Sequence, residues 1–460
     1  MKKMKRVLAC AMAAVMTASL AACGSSEKET AAAKTEATKT AETTKAAEAA
    51  GGQAVSGEKA TVTFWDENAG DERTEYYMQI IENFEKENPD VHIEYLGLSQ
   101  SDALSKYQTA IAAGETPDVG GLNNSFAATV IGQGHCVPLD EMLEAWDGGK
   151  DMEQGYLDVS RTYNKDGKLY LMPTSSNFMT LWTNDAMFEA AGVEAPKNWD
   201  EFFEVAEKLT NQTEGQYGYT IRGGAGSAAT IIDYIYSYLG TNVVFDENGK
   251  CTINSDEAVA FVEKYLGLYG KATPESDITA SYKEISANFD SGVSAMFTHN
   301  LGSYGSHITG FGGEEGFTAN PLPTAANGQY VNFGGSLTGV VMFDTCENKE
   351  AAWRWITYLC GPEANSYWNQ SIGQMPTNTA CYGDEWMQGM QHIQCAVETM
   401  SKDNCLSYTS PAYLPEYGTI CSTYIEPAIQ SVMSGDMTAK EMLDMWADYL
   451  NEAYANYMAD

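Results

Sequence analysis

Between Lys59 and Asn123 the hydrophobic pattern changes period repeatedly, and this alternation restricts the fold more than any other feature. Thr61-Val62-Thr63-Phe64-Trp65 is a β-branched and aromatic run, which predicts a strand. A polar loop, Asp66 to Asp71, follows. Tyr77, Ile80, Ile81 and Phe84 then share one face of a helix, which Asn88-Pro89-Asp90 stops. Val91, Ile93 and Tyr95 alternate as a second strand. Leu104, Tyr107 and Ile111 mark a second helix, ending near Gly114, and Asp118-Val119 leads into a third strand at Gly120-Gly121. Strand, helix, strand, helix, strand builds an α/β unit with a partly parallel sheet. In such sheets ligands gather at the carboxyl ends of the strands. That places Trp65, Asp66, Glu67, Asn68, Asn123 and Asn124 where a site is expected.

The rest of the chain carries similar signals. Tyr163 to Tyr170 surrounds Lys165-Asp166-Gly167-Lys168, a tight hairpin signal. Thr180-Leu181-Trp182-Thr183 predicts a strand, and Asn184 caps a short helix carrying Met187 and Phe188. Asn198 and Glu201 have capping-box spacing ahead of Phe202, Val205, Ala206 and Leu209; Asn254 and Glu257 repeat it. Lys349 to Leu359 predicts a helix ended by Gly361-Pro362, and a final helix runs from about Thr438 to Asn456. With 460 residues, 44% of them hydrophobic, more than one compact unit is expected.

The first 58 residues are different material. Lys2, Lys3, Lys5 and Arg6 precede an apolar run, Val7 to Leu20, too short for a permanent transmembrane helix. The run ends in Leu20-Ala21-Ala22-Cys23-Gly24, which resembles the lipobox of bacterial lipoproteins. The resemblance implies a signal peptide over 1–22, cleavage before Cys23 and lipidation of Cys23. A conventional secretory signal cut near Ala22 is the alternative. Residues 24–58 contain no aromatic residue and one large aliphatic, Val55. They cannot offset the entropy of folding, so 23–58 is expected to be a disordered tether on a lipid anchor. Such a tether suits the outer face of a Gram-positive cell membrane.

Charge and motifs exclude several functions. Lys+Arg 27 against Asp+Glu 63 gives a net charge of −36, so nucleic acid is repelled by the mean field. The five histidines, His92, His135, His299, His307 and His392, form no HExxH. Arg222-Gly223-Gly224-Ala225-Gly226 lacks the order of a phosphate loop, and no GxSxG elbow is present. A glycosidase needs two carboxylates about 5–10 Å apart, which a chain this acidic does not single out by spacing. Beyond Cys10 and Cys23, eight cysteines remain, expected as buried thiols or one or two disulfides.

Several later stretches, in order, carry a family resemblance. Tyr107 to Val119 reads YQTAIAAGETPDV. Trp182 to Val193 reads WTNDAMFEAAGV and is followed by Pro196 and Asn198-Trp199-Asp200-Glu201-Phe202. Ser294-Ala295-Met296-Phe297, Gly334-Gly335-Ser336-Leu337, Asn348 to Trp355, Gly361-Pro362-Glu363 and Gly373-Gln374-Met375-Pro376 come after it. Over residues 60–460 these resemble the extracellular solute-binding proteins of ABC importers, the family-1 branch that includes maltose-binding proteins. Trp182 and Thr183 replace part of its tyrosine-rich opening, and Asn198 replaces its Thr cap.

The resemblance implies a two-lobed, type II periplasmic-binding-protein-like α/β fold with a ligand cleft between the lobes. Three interlobe crossings map near Met172-Pro173, near Pro321-Leu322-Pro323 and near Gly373 to Pro376. Lobe one is then 59–172 with 324–373, and lobe two 174–320 with 377–460. The implied function is capture of a mono- or oligosaccharide by a monomeric, non-enzymatic protein without cofactor or metal, and delivery to a membrane permease driven by a separate ATPase. Other small polar solutes, such as a polyol, amino-sugar or peptide, are the alternative; an extracellular glycosidase is a further one. Sugars need aromatic faces and polar groups together. Trp65, Trp182 and Trp368 are the aromatic candidates, with Tyr234, Tyr236, Tyr304 and Tyr330 behind them. Asp66, Glu67, Asn68, Asn123, Asn124, Asn177, Arg222, Asn300 and Ser336 are the polar ones. Trp199, Trp353, Trp355 and Trp446 are expected in the core.

Overall fold

The structure, a computed structural model, describes residues 59–124, 126–332 and 336–459. The leader, the tether, Cys23, Gly334 and Gly335 lie outside the described residues. The strands are β1 (Ala60–Asp66), β2 (Val91–Gly97), β3 (Val119–Asn123), β4 (Leu171–Asn177), β5 (Met179–Asn184), β6 (Met296–Asn300), β7 (Phe317–Pro321), β8 (Tyr330–Asn332), β9 (Ser336–Met342), β10 (Met375–Pro376) and β11 (Cys405–Ser407). The first sheet has the order β10-β4-β9-β3-β1-β2; the second has the order β6-β5-β7, and β11 pairs with β8.

In the first sheet β1 is parallel to both β2 and β3, as the alternating pattern predicts. The connecting helices are Asp71–Glu87 and Gln100–Ala113. β9 runs antiparallel to β3 and to β4. The carboxyl ends of β1, β3 and β4 and the amino end of β9 therefore share one edge. Side chains alternate across the sheet. Val340 and Met342 join Phe64, Tyr77, Ile80, Phe84 and Trp355 on one face; Val341 and Phe343 join Tyr107, Leu122 and Leu171 on the other. Both faces are covered. Gly120 permits the close approach, since a Cβ there would lie 2.8 Å from Tyr107 Oη and 2.9 Å from the Phe343 ring.

The second sheet is antiparallel, with β5 between β6 and β7. Helices Trp199–Lys208, Ser227–Leu239, Asp256–Leu266 and Ala439–Ala459 bury a large aromatic core of Trp199, Phe202, Tyr219, Tyr234, Tyr236, Phe261, Tyr265 and Trp446. Tyr234 and Tyr236, considered above as ligand candidates, are both 0% exposed and belong to this core. Asn184 and Asn198 cap their helices as expected, accepting from Met187 N–H and Glu201 N–H.

The passages between the sheets follow from the strand memberships. β4 continues past Pro173 to Asn177 in the first sheet, so the chain crosses at Phe178. A register shift between Pro173 and Ser175 absorbs the proline, which has no N–H to give the ladder. Pro321-Leu322-Pro323 leads on to β8, which pairs with β11, so the return to the first sheet falls between β8 and β9. After Gly373 the chain pairs as β10 with β4. It stays on the first unit through Trp386, whose indole N–H donates to Ser366 Oγ at 2.9 Å. It reaches the second where Gln391 exchanges hydrogen bonds of 2.7 and 2.9 Å with Ala319. Two differences from the sequence expectation concern local signals. Ser255, not Asn254, caps the next helix, accepting from Ala258 N–H, while Asn254 donates to Asp444 at 2.8 Å. Lys165 to Lys168 forms a turn with Gly167 at φ 66°, but it joins the Gln154–Arg161 helix to β4 and closes no hairpin. The eight described cysteines are free thiols.

Candidate functional site

The shared edge of the first sheet gathers most of the sequence-predicted polar residues. Trp65 and Asp66 end β1, Asn123 ends β3, Asn177 ends β4, and Ser336 opens β9 opposite Asn177. Glu67 and Asn68 continue β1 into the loop, and Asn124 continues β3. Asp66 is 1% exposed and Glu67 4%, so both carboxyls are buried. Trp65 is half-buried, its ring 5.6 Å from that of Tyr107. Tyr107 Oη holds the strand ends in place through the Trp65 and Gly121 carbonyls at 3.2 and 2.9 Å.

The two carboxyls are supported unequally. Asp66 accepts from Asn68 N–H at 3.3 Å, from Tyr95 Oη at 3.1 Å and from Arg73 at 3.5 Å. Glu67 Oε2 accepts from Asn123 Nδ2 at 3.1 Å. Burial pushes the Glu67 carboxyl up to about 7; Asp66 adds to the rise, and Arg73 and Asn123 only partly oppose it. Asn177 Oδ1 is buried and has no hydrogen-bond partner among the described residues. The edge thus offers a half-buried indole beside acceptors and donors suited to hydroxyl groups.

Arg73 and Tyr95 belong to this cluster and were missed by sequence reasoning. One signal was available: Arg73 puts a cation in the first turn of its helix, against the helix dipole, which calls for a nearby anion. The Arg73 guanidinium lies 4.7 Å above the Trp368 ring, and Trp368 packs 4.2 Å from Tyr77 and donates to Ser175 Oγ at 3.0 Å. Trp368 is 4% exposed. Packed by Arg73 and Tyr77, it supports Arg73 and presents no open ring.

Trp182 is a correction. It is 0% exposed, with His307 at 4.7 Å and Phe317 at 5.8 Å, inside the core under β5. β5 is packed on both faces, with Leu181 in the large aromatic core and Trp182 in the cluster of Phe289, Phe297 and Phe317, so alternation along it marks no face for a ligand. Arg222 and Asn300 lie in the second unit. Arg222 Nε donates to Ala225 O at 2.6 Å, and Glu426 Oε1 accepts from Gly226 N–H in the same loop. Burial pulls the guanidinium down while Glu426 opposes it. His299 stacks on Tyr282 at 4.2 Å; burial, then Arg222, holds it neutral, down to about 3. Asn300 Oδ1 accepts from Gly302 N–H at 3.0 Å, capping a short turn. Tyr304 stacks on His392 at 4.0 Å. Tyr330 lies under Lys402 at 5.2 Å. Glu426 and Tyr282 were not singled out from sequence. Among the described residues no group of His, Cys, Asp or Glu has the arrangement to hold a metal ion, and no helix is long and apolar enough to cross a membrane.

Residues 70–366 match the model of the bacterial extracellular solute-binding protein family. A putative binding protein of Brucella abortus is 26% identical over 307 residues, covering 66% of this chain and 72% of the relative. Among solved structures, an ABC transporter solute-binding protein from Thermotoga lettingae bound with α-D-tagatose superposes with a TM-score of 0.74 at 22% identity, over 86% of this chain and 100% of that one. Maltose-bound MalE3 of T. maritima gives 0.71 at 23% identity, over 85% and 99%. These likenesses show the two-lobed fold.

Proposed function

Because the chain belongs to the bacterial extracellular solute-binding protein family, we propose that it captures a carbohydrate between its two lobes and hands it to the permease of an ABC importer. The observation that carries the sugar reading is the edge of the first sheet. A half-buried Trp65 stands beside Asp66, Glu67 and Asn123 at the carboxyl ends of β1 and β3. The solved relatives bound to tagatose and maltose support it.

On this reading the site consists of Trp65, Asp66, Glu67, Asn68, Asn123, Asn124, Asn177 and Ser336 from lobe one. Arg222 and Asn300 serve from lobe two. The sheet memberships favour lobe one as 59–177 with 336–389, and lobe two as 179–332 with 391–459. A solute touching both lobes shifts the open–closed balance toward closed, and closure presents the docking form. The protein performs no chemistry on the solute and acts as a monomer. Cys23 carries a lipid anchor that holds it, by the tether, on the outer face of the membrane. Replacing Cys23 with Ser is expected to release the protein from the membrane fraction.

The test is thermal unfolding against mono- and oligosaccharides, with polyols, amino acids and short peptides as controls. A binder at about 100 times its Kd adds roughly 2.7 kcal/mol. A midpoint shift confined to related sugars, without product, supports capture. A shift with peptides alone overturns the sugar reading, and turnover of a sugar overturns the binding reading.

A further inference from the structure

We infer that Glu67 is held as the neutral acid and is the residue that selects hydroxyl-bearing, uncharged solutes over ammonium-bearing ones. This rests on the capture reading above and deepens it.

The charge count at the edge of the first sheet carries the inference. Asp66 and Glu67 are neighbours, both buried, and the cation facing them among the described residues is Arg73. Arg73 pairs with Asp66 at 3.5 Å, and Asp66 also accepts from Asn68 N–H and Tyr95. Glu67 receives one donor, Asn123. The other groups facing Glu67 bring no positive charge: Tyr77 comes from the Asp71–Glu87 helix and Tyr107 from the Gln100–Ala113 helix. A second buried anion without a second cation is costly, so the proton settles on the carboxyl with fewer donors. That is Glu67, and its burial pushes it up to about 7.

The geometry assigns the proton to an end. Oε2 already accepts from Asn123, which leaves Oε1 as the end that carries the proton. A proton on Oε1 donates to a lone pair. A hydroxyl oxygen supplies one; an ammonium group has none. A cationic solute would require Glu67 ionised and would reverse the pH dependence. Arg73, stacked on Trp368, acts as a positioning residue by holding the Asp66 charge in place.

The experiment uses the full chain in detergent, with carboxyl-¹³C glutamate, and Glu67→Gln to assign the resonance. The Glu67 carboxyl carbon is expected to titrate near neutrality, well above the other glutamates. A midpoint in the ordinary carboxylate range overturns the assignment. Calorimetric titrations with maltose, tagatose, ribitol and glucosamine between pH 5.5 and 8.5 follow. For a neutral probe, Kd is expected to weaken about tenfold per pH unit above the midpoint, with E67Q flat and glucosamine bound at least tenfold more weakly. Glucosamine binding as tight as that of the neutral sugars at pH 5.5, where its amine is cationic, overturns the selectivity. If Glu67 titrates near neutrality and no sugar or polyol binds at any pH, the neutral acid stands and the carbohydrate reading falls.

Discussion

At the scale of single residues, identical side chains have opposite uses according to what packs on them. Trp65 and Trp182 both sit in β strands, but only Trp65 keeps part of its ring open. Trp182→Ala is expected to cost about 3–5 kcal/mol in urea unfolding, as for other fully buried aromatics. Trp65→Ala is expected to cost less stability and to lose most of the affinity for the stabilising sugar. Glu67 sets a pH window. Its folded value, about 7, lies above its ordinary 4.5. The native state therefore holds the proton more tightly, and stability is full below about 4.5 and falls as pH rises through 7. Glu67→Gln lacks that loss. Denaturation from pH 4 to 8 is expected to show the two proteins diverging across this window, with Gln the more stable above it. Parallel curves would contradict the buried neutral carboxyl.

At the scale of elements, local rules explain most helix starts, whereas strand pairing depends on distant partners. The Asn198 cap, with Asn198 donating to Glu201 Oε1 at 2.7 Å, was visible as spacing. Asn198→Ala is expected to lower stability by about 1 kcal/mol, measured by the denaturant midpoint. Gly373 ends the Pro362–Ile372 helix at φ 65°, where the chain turns into β10. A Cβ there meets only ordinary contacts, 3.8 Å from Leu301 O and Tyr304 Cβ, but the backbone is strained, and about 1 kcal/mol of lost stability is expected for the alanine variant. A proline at a bend and a proline beside a bulge look alike in sequence. Which strand neighbours Pro173, and which hydrogen bond it forgoes, depends on β9, about 165 residues away.

At the scale of the whole molecule, the expected behaviour is hinge closure about Phe178 and the two later crossings. Phe178 packs with Leu301, Met375 and Ile393, which come from both units and from the third crossing. Small-angle scattering is expected to show a smaller radius of gyration with saturating sugar, and an unchanged radius would argue against closure. The sequence by itself determined the alternating α/β character, the Asn184 and Asn198 helix caps and the carboxyl-end position of Trp65, Asp66, Glu67 and Asn123. All of these are local, because hydrophobic period, capping and turn chemistry act over a few residues. Only the tertiary structure decided that Asn177 and Ser336 share that edge with them, that Trp182 and Trp368 are packed away, and that Arg73 serves Asp66 and leaves Glu67 without a cation of its own. Those facts depend on strand neighbours and charge balance between distant segments, and no short-range pattern encodes either.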